Sequence, residues 1–241
     1  MSAHSSHNSL HNSLHNSLHN SLHNSLHIES FVVGPMPNNL YLLRDDQTRQ
    51  IVVVDPSIES DAAINRVLDL QRQGYTLSAI WNTHGHFDHI YDNARWKSQF
   101  QSSLLMHGDD EWLIERLPDT SVLMAGLPEP STAIPDIWLQ DGQTLQVGHF
   151  QCEVLLVPGH SPGSVAFWFA SENVCLSGDV LFKGAVGRTD FPGCDPAALR
   201  SSLARLCSLP DNTRILPGHG AETTVGQEKA TNPFCRNLPA A

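Results

Sequence analysis

Four times in this sequence an apolar run that reads as a β-strand stops, and a side chain able to ligate a metal follows. Residues 77–81 lead into Asn82-Thr83-His84-Gly85-His86-Phe87-Asp88-His89, and residues 154–157 into Pro158-Gly159-His160. Residues 174–176 lead into Ser177-Gly178-Asp179, and Ile215-Leu216 into Pro217-Gly218-His219. Glycine directly precedes His86, His160, Asp179 and His219, which lets the backbone turn tightly beside a bound ion. Ligand-bearing strand ends of this kind converge at one edge of a sheet, where layered α/β proteins place their sites. Five imidazoles and two carboxylates exceed what one tetrahedral ion uses, so two divalent ions sharing a ligand are expected. Zinc is the first expectation, with iron or manganese compatible with the same donors. The two remaining histidines of this region, His107 and His149, lack such a setting and read as structural.

The intervening chain fits that picture. Strands are expected at 28–33, 40–44 and 51–55, bounded by Gly34-Pro35, Asp45-Asp46 and Pro56. Residues 61–73 carry apolar positions at Ala63, Ile64, Val67, Leu68 and Leu70 before Gly74, a helical spacing with a stop. Further helices are expected at 91–100, 109–116 and 196–206, and strands at 104–106, 151–157, 165–169, 174–176 and 214–216. Strands alternating with helices define a layered α/β domain.

Before this domain, His-Asn-Ser-Leu repeats five times from His7 to Leu26. On a helix a four-residue period carries each leucine about 40° round the axis, so no fixed apolar face forms. Residues 1–27 are therefore expected to be a disordered extension preceding a domain at 28–241. Seven of the fourteen histidines lie in it, so adventitious metal chelation is the functional alternative. A net charge of −11 leaves no basic stripe for nucleic acid, and no apolar run is long enough to span a membrane. Five widely spaced cysteines without a C-x-x-C pair read as free thiols, and with no secretory leader pattern the expected address is the cytoplasm. Cys194, in an expected Pro-Gly loop, is the one most open to solvent on this reading.

His84-x-His86-x-Asp88-His89, followed by single His160, Asp179 and His219, resembles the metallo-β-lactamase superfamily from about residue 28 onward. The resemblance implies an αββα sandwich with a dinuclear site. By it, His84, His86 and His160 hold the first metal, Asp88, His89 and His219 the second, and Asp179 bridges them. Residues 177–184, 187–192 and Thr231-Asn232-Pro233-Phe234 resemble one branch, the short bacterial glyoxalase II-like (hydroxyacylglutathione hydrolase-like) enzymes.

That branch implies a small-molecule thioester substrate such as S-lactoylglutathione, attacked by a hydroxide bridging the metals while Asp88 orients it. A thiolate leaves readily, so such a site needs no dedicated general acid. Only 22 residues follow His219, too few for the helical domain that supplies glutathione contacts in full-length glyoxalase II enzymes. Arg188 matches a basic residue of the family's G-x-G-[KR] segment and, with Lys183, is a candidate substrate contact; its other reading is an ion pair with Asp190 or Asp195. Asp190 departs from the family's tyrosine. Persulfide dioxygenases share the fold and the stretch 187–191, and would use His84, His160 and Asp179 around one Fe(II). Phe182-Lys183-Gly184 and the Asn232-Pro233-Phe234 ending favour the hydrolase.

Overall fold

The computed structural model describes residues 25–236 together with Leu238; the extension expected to be disordered lies, through residue 24, outside the described residues. Strands β1 (His27–Val33), β2 (Asn38–Asp45), β3 (Gln50–Val54), β4 (Thr76–Trp81), β5 (Ser103–His107) and β6 (Ile137–Leu139) form one six-stranded sheet in that order. Its first three strands pair antiparallel and the rest parallel. A second six-stranded sheet runs from β7 (Thr144–Val147) through β8 (Phe150–Leu156), β9 (Val165–Phe169), β10 (Val174–Gly178) and β13 (Arg214–Pro217) to β14 (Thr223–Thr224). A small hairpin, β11 (Leu181–Phe182) with β12 (Ala185–Val186), stands beside it.

The strands bury both faces, which is why they read as near-continuous apolar runs. Along β2 and β3, Tyr41, Leu43, Val52 and Val54 point into the core shared with Val154, Phe167 and Leu176 of the second sheet. Their alternates Leu40, Leu42, Ile51 and Val53 pack against Ala63, Ile64, Val67 and Leu70 of α1 (Asp61–Arg72). Short α2 (Phe87–Ile90) follows β4, and Trp96 of α3 (Asn93–Phe100) joins the same outer layer. Helix α4 (Glu111–Ala125), which precedes β6, packs Ile114 and Leu117 against Ile90 of α2 and Met106 of β5. The second sheet's outer face, with Leu155, Val157, Cys175 and Ile215, meets Leu199, Leu203 and Leu206 of α5 (Pro196–Cys207). The layers are therefore αββα, as the resemblance implied. Helix α5 starts where sequence rules place it: Asp195 accepts from the Ala197 and Ala198 amides at 2.8 and 3.1 Å, with Pro196 in the first turn.

Several boundaries differ from expectation. The first strand begins at His27, one residue earlier than the expected 28, where His27 pairs with Arg44 in the sheet and ion-pairs with Asp46 at 3.0 Å. The helix expected at 91–100 begins two residues later, as α3, with the unexpected short α2 before it, and that expected at 109–116 is a 3-10 turn leading into α4, which continues past Pro118. The Thr120 and Ser121 hydroxyls bond back to the Arg116 and Leu117 carbonyls around that proline. Strands β6, β7 and β14 and the last helix, α6 (Val225–Thr231), are too short to show a period in sequence.

Candidate metal centre

All seven expected ligands meet at one end of the sandwich. His84 and His86 follow β4 in the turn into α2, and Asp88 and His89 lie within α2; His160 follows β8; Asp179 follows β10; His219 follows β13. Donor atoms of His84, His86 and His160 lie within 4.8 Å of one another, as do those of Asp88, His89 and His219. Asp179 stands between the groups, with Oδ2 3.6 Å from His160 Nε2 and 3.4 Å from His219 Nε2, and Oδ1 3.4 Å from His89 Nε2. A glycine is required at 218, where a Cβ would lie 2.1 Å from Asp179 Oδ1, and at 187, where it would lie 1.8 Å from the Asp179 carbonyl oxygen.

The ring orientations are set from behind. The Thr83 hydroxyl donates to Asp55 Oδ2 at 2.6 Å, so its oxygen accepts from His84 Nδ1 at 3.1 Å. That tautomer leaves His84 Nε2 as a buried lone pair without a protein partner. His89 Nδ1 donates to the same Asp55 oxygen at 3.0 Å, and His160 Nδ1 to the Arg188 carbonyl at 2.8 Å, so their Nε2 atoms also face the centre. Oriented imidazoles backed by carboxylate or carbonyl, together with the orphaned His84 Nε2, are what metal-ligating histidines require. The donor set fits divalent ions.

Charge divides the centre in two. Burial pushes His84 well below the ordinary histidine range and His86 down to about 3, so these two imidazoles are neutral. Burial also disfavours charge in the second group, but there the opposite charges win. Asp179, Asp88 and Asp55 hold His89 well above its ordinary value, and the carboxylates raise His219 to about 9. Reciprocally, His89, His219 and Asn38 hold Asp88 near 2 against the effect of its burial, and Asp179 is depressed further.

Above the centre lies a cavity of about 540 Å³. Phe182 and Val186 of the small hairpin, Phe191 and Trp112 give it apolar walls. Arg188 lines it too, but its fork is engaged: Nε and Nη2 each bond Asp190 at 2.6 Å, and the guanidinium lies 3.9 Å over the Phe191 ring. The reading of Arg188 as a local ion pair therefore describes the geometry. Lys183 is exposed in the hairpin turn and is not among the lining residues. The hairpin is held by the other branch motif. Buried Glu228 accepts from the Gly184 amide at 2.8 Å and from Asn232 Nδ2 at 2.8 Å, and Asn232 also donates to the Ala185 carbonyl at 3.1 Å. His107 and His149 lie outside the ligand groups, His149 bonding Asp45 at 2.8 Å. The Cys194 thiol, raised by burial, donates to the His160 carbonyl at 2.9 Å.

Sequence reasoning missed the groups that hold these ligands. Asp55 ends an apolar strand, the very signal that revealed the others, and adopts φ of 52°, a left-handed conformation rare for non-glycine residues. Asp110, fully buried, accepts from the Gly85 amide at 2.8 Å, the Ser161 hydroxyl at 2.6 Å and the Gly163 amide at 2.7 Å, tying the His84–His86 loop to the His160 loop. Asn38 Nδ2 lies 2.9 Å from Asp88 Oδ2 and 3.3 Å from His89 Nε2. Neither Asp110 nor Asn38 carries a spacing signal.

A two-sheet sandwich with ligand-bearing loops at one end defines a metal-dependent hydrolase class. The model of the metallo-beta-lactamase superfamily matches residues 33–219, and the chain belongs to that superfamily. It is 37% identical over 210 residues to hydroxyacylglutathione hydrolase GloC of Haemophilus influenzae, covering 86% of this chain and 97% of that protein. Among solved structures, the BLEG-1 B3 metallo-beta-lactamase matches with a TM-score of 0.79 and 36% identity, covering 88% of this chain and all of that one. TTHA1623 in a di-iron-bound form matches with a TM-score of 0.76 and 38% identity, covering 86% and 99%. The superfamily binds divalent metals and acts on small molecules. Among the described residues no helix is long and apolar enough to cross a membrane.

Proposed function

We propose that this chain is a dinuclear metallohydrolase that cleaves acyl thioesters, S-lactoylglutathione or a relative of it. The observation that carries the reading is the pair of ligand groups, His84, His86, His160 and Asp88, His89, His219, flanking the shared carboxylate of Asp179. These residues would hold divalent ions, zinc first and iron or manganese as alternatives, whose chemistry would be to provide hydroxide at neutral pH and to polarise a carbonyl. The protein's own part is positioning. Thr83, backed by Asp55, sets the tautomer of His84, and Asp55 orients the His89 ring through Nδ1, so both rings aim Nε2 at the centre. Asp88, held ionised, is placed to orient the nucleophile. Phe182 and Phe191 exclude water from the acyl chain, and no protein acid is needed for a thiolate to leave. The relative named hydroxyacylglutathione hydrolase supports the thioester class, and five free thiols suit a cytoplasmic setting.

The alternative, a mononuclear Fe(II) persulfide dioxygenase, would use His84, His160 and Asp179 and leave Asp88, His89 and His219 without a purpose. Metal analysis of protein truncated before Ser25, with S-lactoylglutathione hydrolysis and oxygen uptake on glutathione persulfide measured side by side, separates them. Two ions and thioester turnover are expected. One iron per chain with persulfide-dependent oxygen uptake overturns the hydrolase.

A further inference from the structure

The cavity beside the metal centre has two arginines in its lining, and their situations are opposite. Arg188 is neutralised by a two-bond pair with Asp190. Arg116 is exposed, lines the same cavity, and among the described residues has no carboxylate partner; its guanidinium lies 5.4 Å from the centroid of the Trp112 ring. Trp112, Arg116 and Thr120 recur every four residues along α4, so they form one stripe of that helix, and all three line the cavity. The indole is fixed in place: a Cβ at Gly193 would lie 2.8 Å from Trp112 Cζ2, so the loop backbone packs directly on the ring. The Thr120 hydroxyl donates to the Arg116 and Leu117 carbonyls, which leaves it only an acceptor.

From this we infer that the α4 stripe is a substrate subsite, in which Arg116 receives a carboxylate on the thiol part of the substrate and Trp112 flanks the chain leading to it. A planar five-donor fork with its donors free of carboxylate matches a carboxylate's two oxygens. The chain as a whole carries −11, so an anion approaching the cavity is repelled at long range and needs a local cation to stay. The apolar wall beside it suits the methylene stem between that carboxylate and the thioester sulfur. The substrate class becomes a thioester of an acidic thiol, a narrowing that rests on the thioesterase reading above. Arg116 thereby takes the role that sequence resemblance offered to Arg188.

The test uses binding as well as turnover. The metal-loaded protein is titrated calorimetrically with S-hexylglutathione, a thioether that cannot be hydrolysed, and with its diethyl ester. Arg116→Gln is expected to weaken the diacid at least tenfold and the ester less than twofold, with Arg116→Lys between. Arg188→Gln is expected to change both less than threefold. In turnover, Arg116→Gln should raise KM for anionic thioesters and leave kcat within twofold. Equal losses for diacid and ester, discrimination that moves with Arg188 instead, or no diacid binding by the parent protein would each overturn the subsite. Arg116-dependent diacid binding without thioester cleavage would retain the subsite and remove the hydrolase reading. Cleavage with an anion preference indifferent to Arg116 would do the reverse.

Discussion

The two groups of residues that could hold metal are built from similar side chains and prepared in opposite ways. His84, His86 and His160 form an all-imidazole set in which burial keeps His84 and His86 neutral, their loops pinned by Asp110. Asp88, His89 and His219 are interleaved with carboxylates that hold His89 and His219 protonated. Neutral His84 and His86 can accept a cation without first losing a proton. The second group satisfies itself as an internal ion-pair cluster, and a cation must displace its protons. Ligand identity alone does not reveal this difference; it comes from where Asp55, Asp88 and Asp179 sit around the rings.

Removing what the groups share gives the largest expected effect. Asp179→Ala should cost more than about 100-fold in metal affinity at both positions, beyond the roughly 10–100-fold typical of outer-shell changes. Retention of two tightly held ions on metal analysis would break the account of a shared carboxylate.

Changes behind the rings should separate the groups. Asp110→Ala should weaken the first ion by about 10–100-fold. It should also destabilise the metal-free fold by about 1–3 kcal/mol, since the Gly85 and Gly163 amides and the Ser161 hydroxyl lose their buried acceptor. Metal titration and urea unfolding measure the two effects. Asp55→Ala should weaken the second ion through His89, and by way of Thr83 the first as well; an effect confined to the first would contradict the hydrogen bonds observed.

The same contrast predicts a pH signature. His219 has a folded value of about 9, raised above the ordinary histidine range by Asp179 and Asp88 after allowing for burial. In the metal-free protein its ion pair is therefore fully present below about 6.5 and lost as pH rises through about 9. Occupancy has the opposite sign: affinity for the second ion should fall with decreasing pH below about 9 and release protons on uptake, whereas an ion held through neutral His84 and His86 should vary less. Equal pH slopes for both ions, measured by competition with a chelator, would erase the distinction.

The smallest effects are expected outside both groups. Truncation before Ser25 should leave turnover within twofold in metal-replete buffer, because a repeat that builds no fixed apolar face cannot brace the centre. Lys183→Ala should leave KM within twofold, as its side chain does not line the cavity.

By itself the amino-acid sequence determined a layered α/β domain and singled out seven candidate ligands, and the αββα arrangement followed from the family resemblance that their motif carries. Doubly buried strands must be apolar along their length, and a ligand at a strand end needs a glycine turn and a histidine or aspartate that few other roles would place there. Asp110 and Arg116 were invisible there, since each acts through partners many residues away or through lacking one. A buried carboxylate tying Gly85 to Ser161, or an arginine that is free while its neighbour in space is paired, exists only once separate strands and helices are brought together. The tertiary structure alone decided which nitrogen each histidine presents, which group keeps its protons and which arginine faces the cavity uncompensated. Those properties depend on burial and on charges within a few ångströms, distances that the order of residues along the chain does not encode.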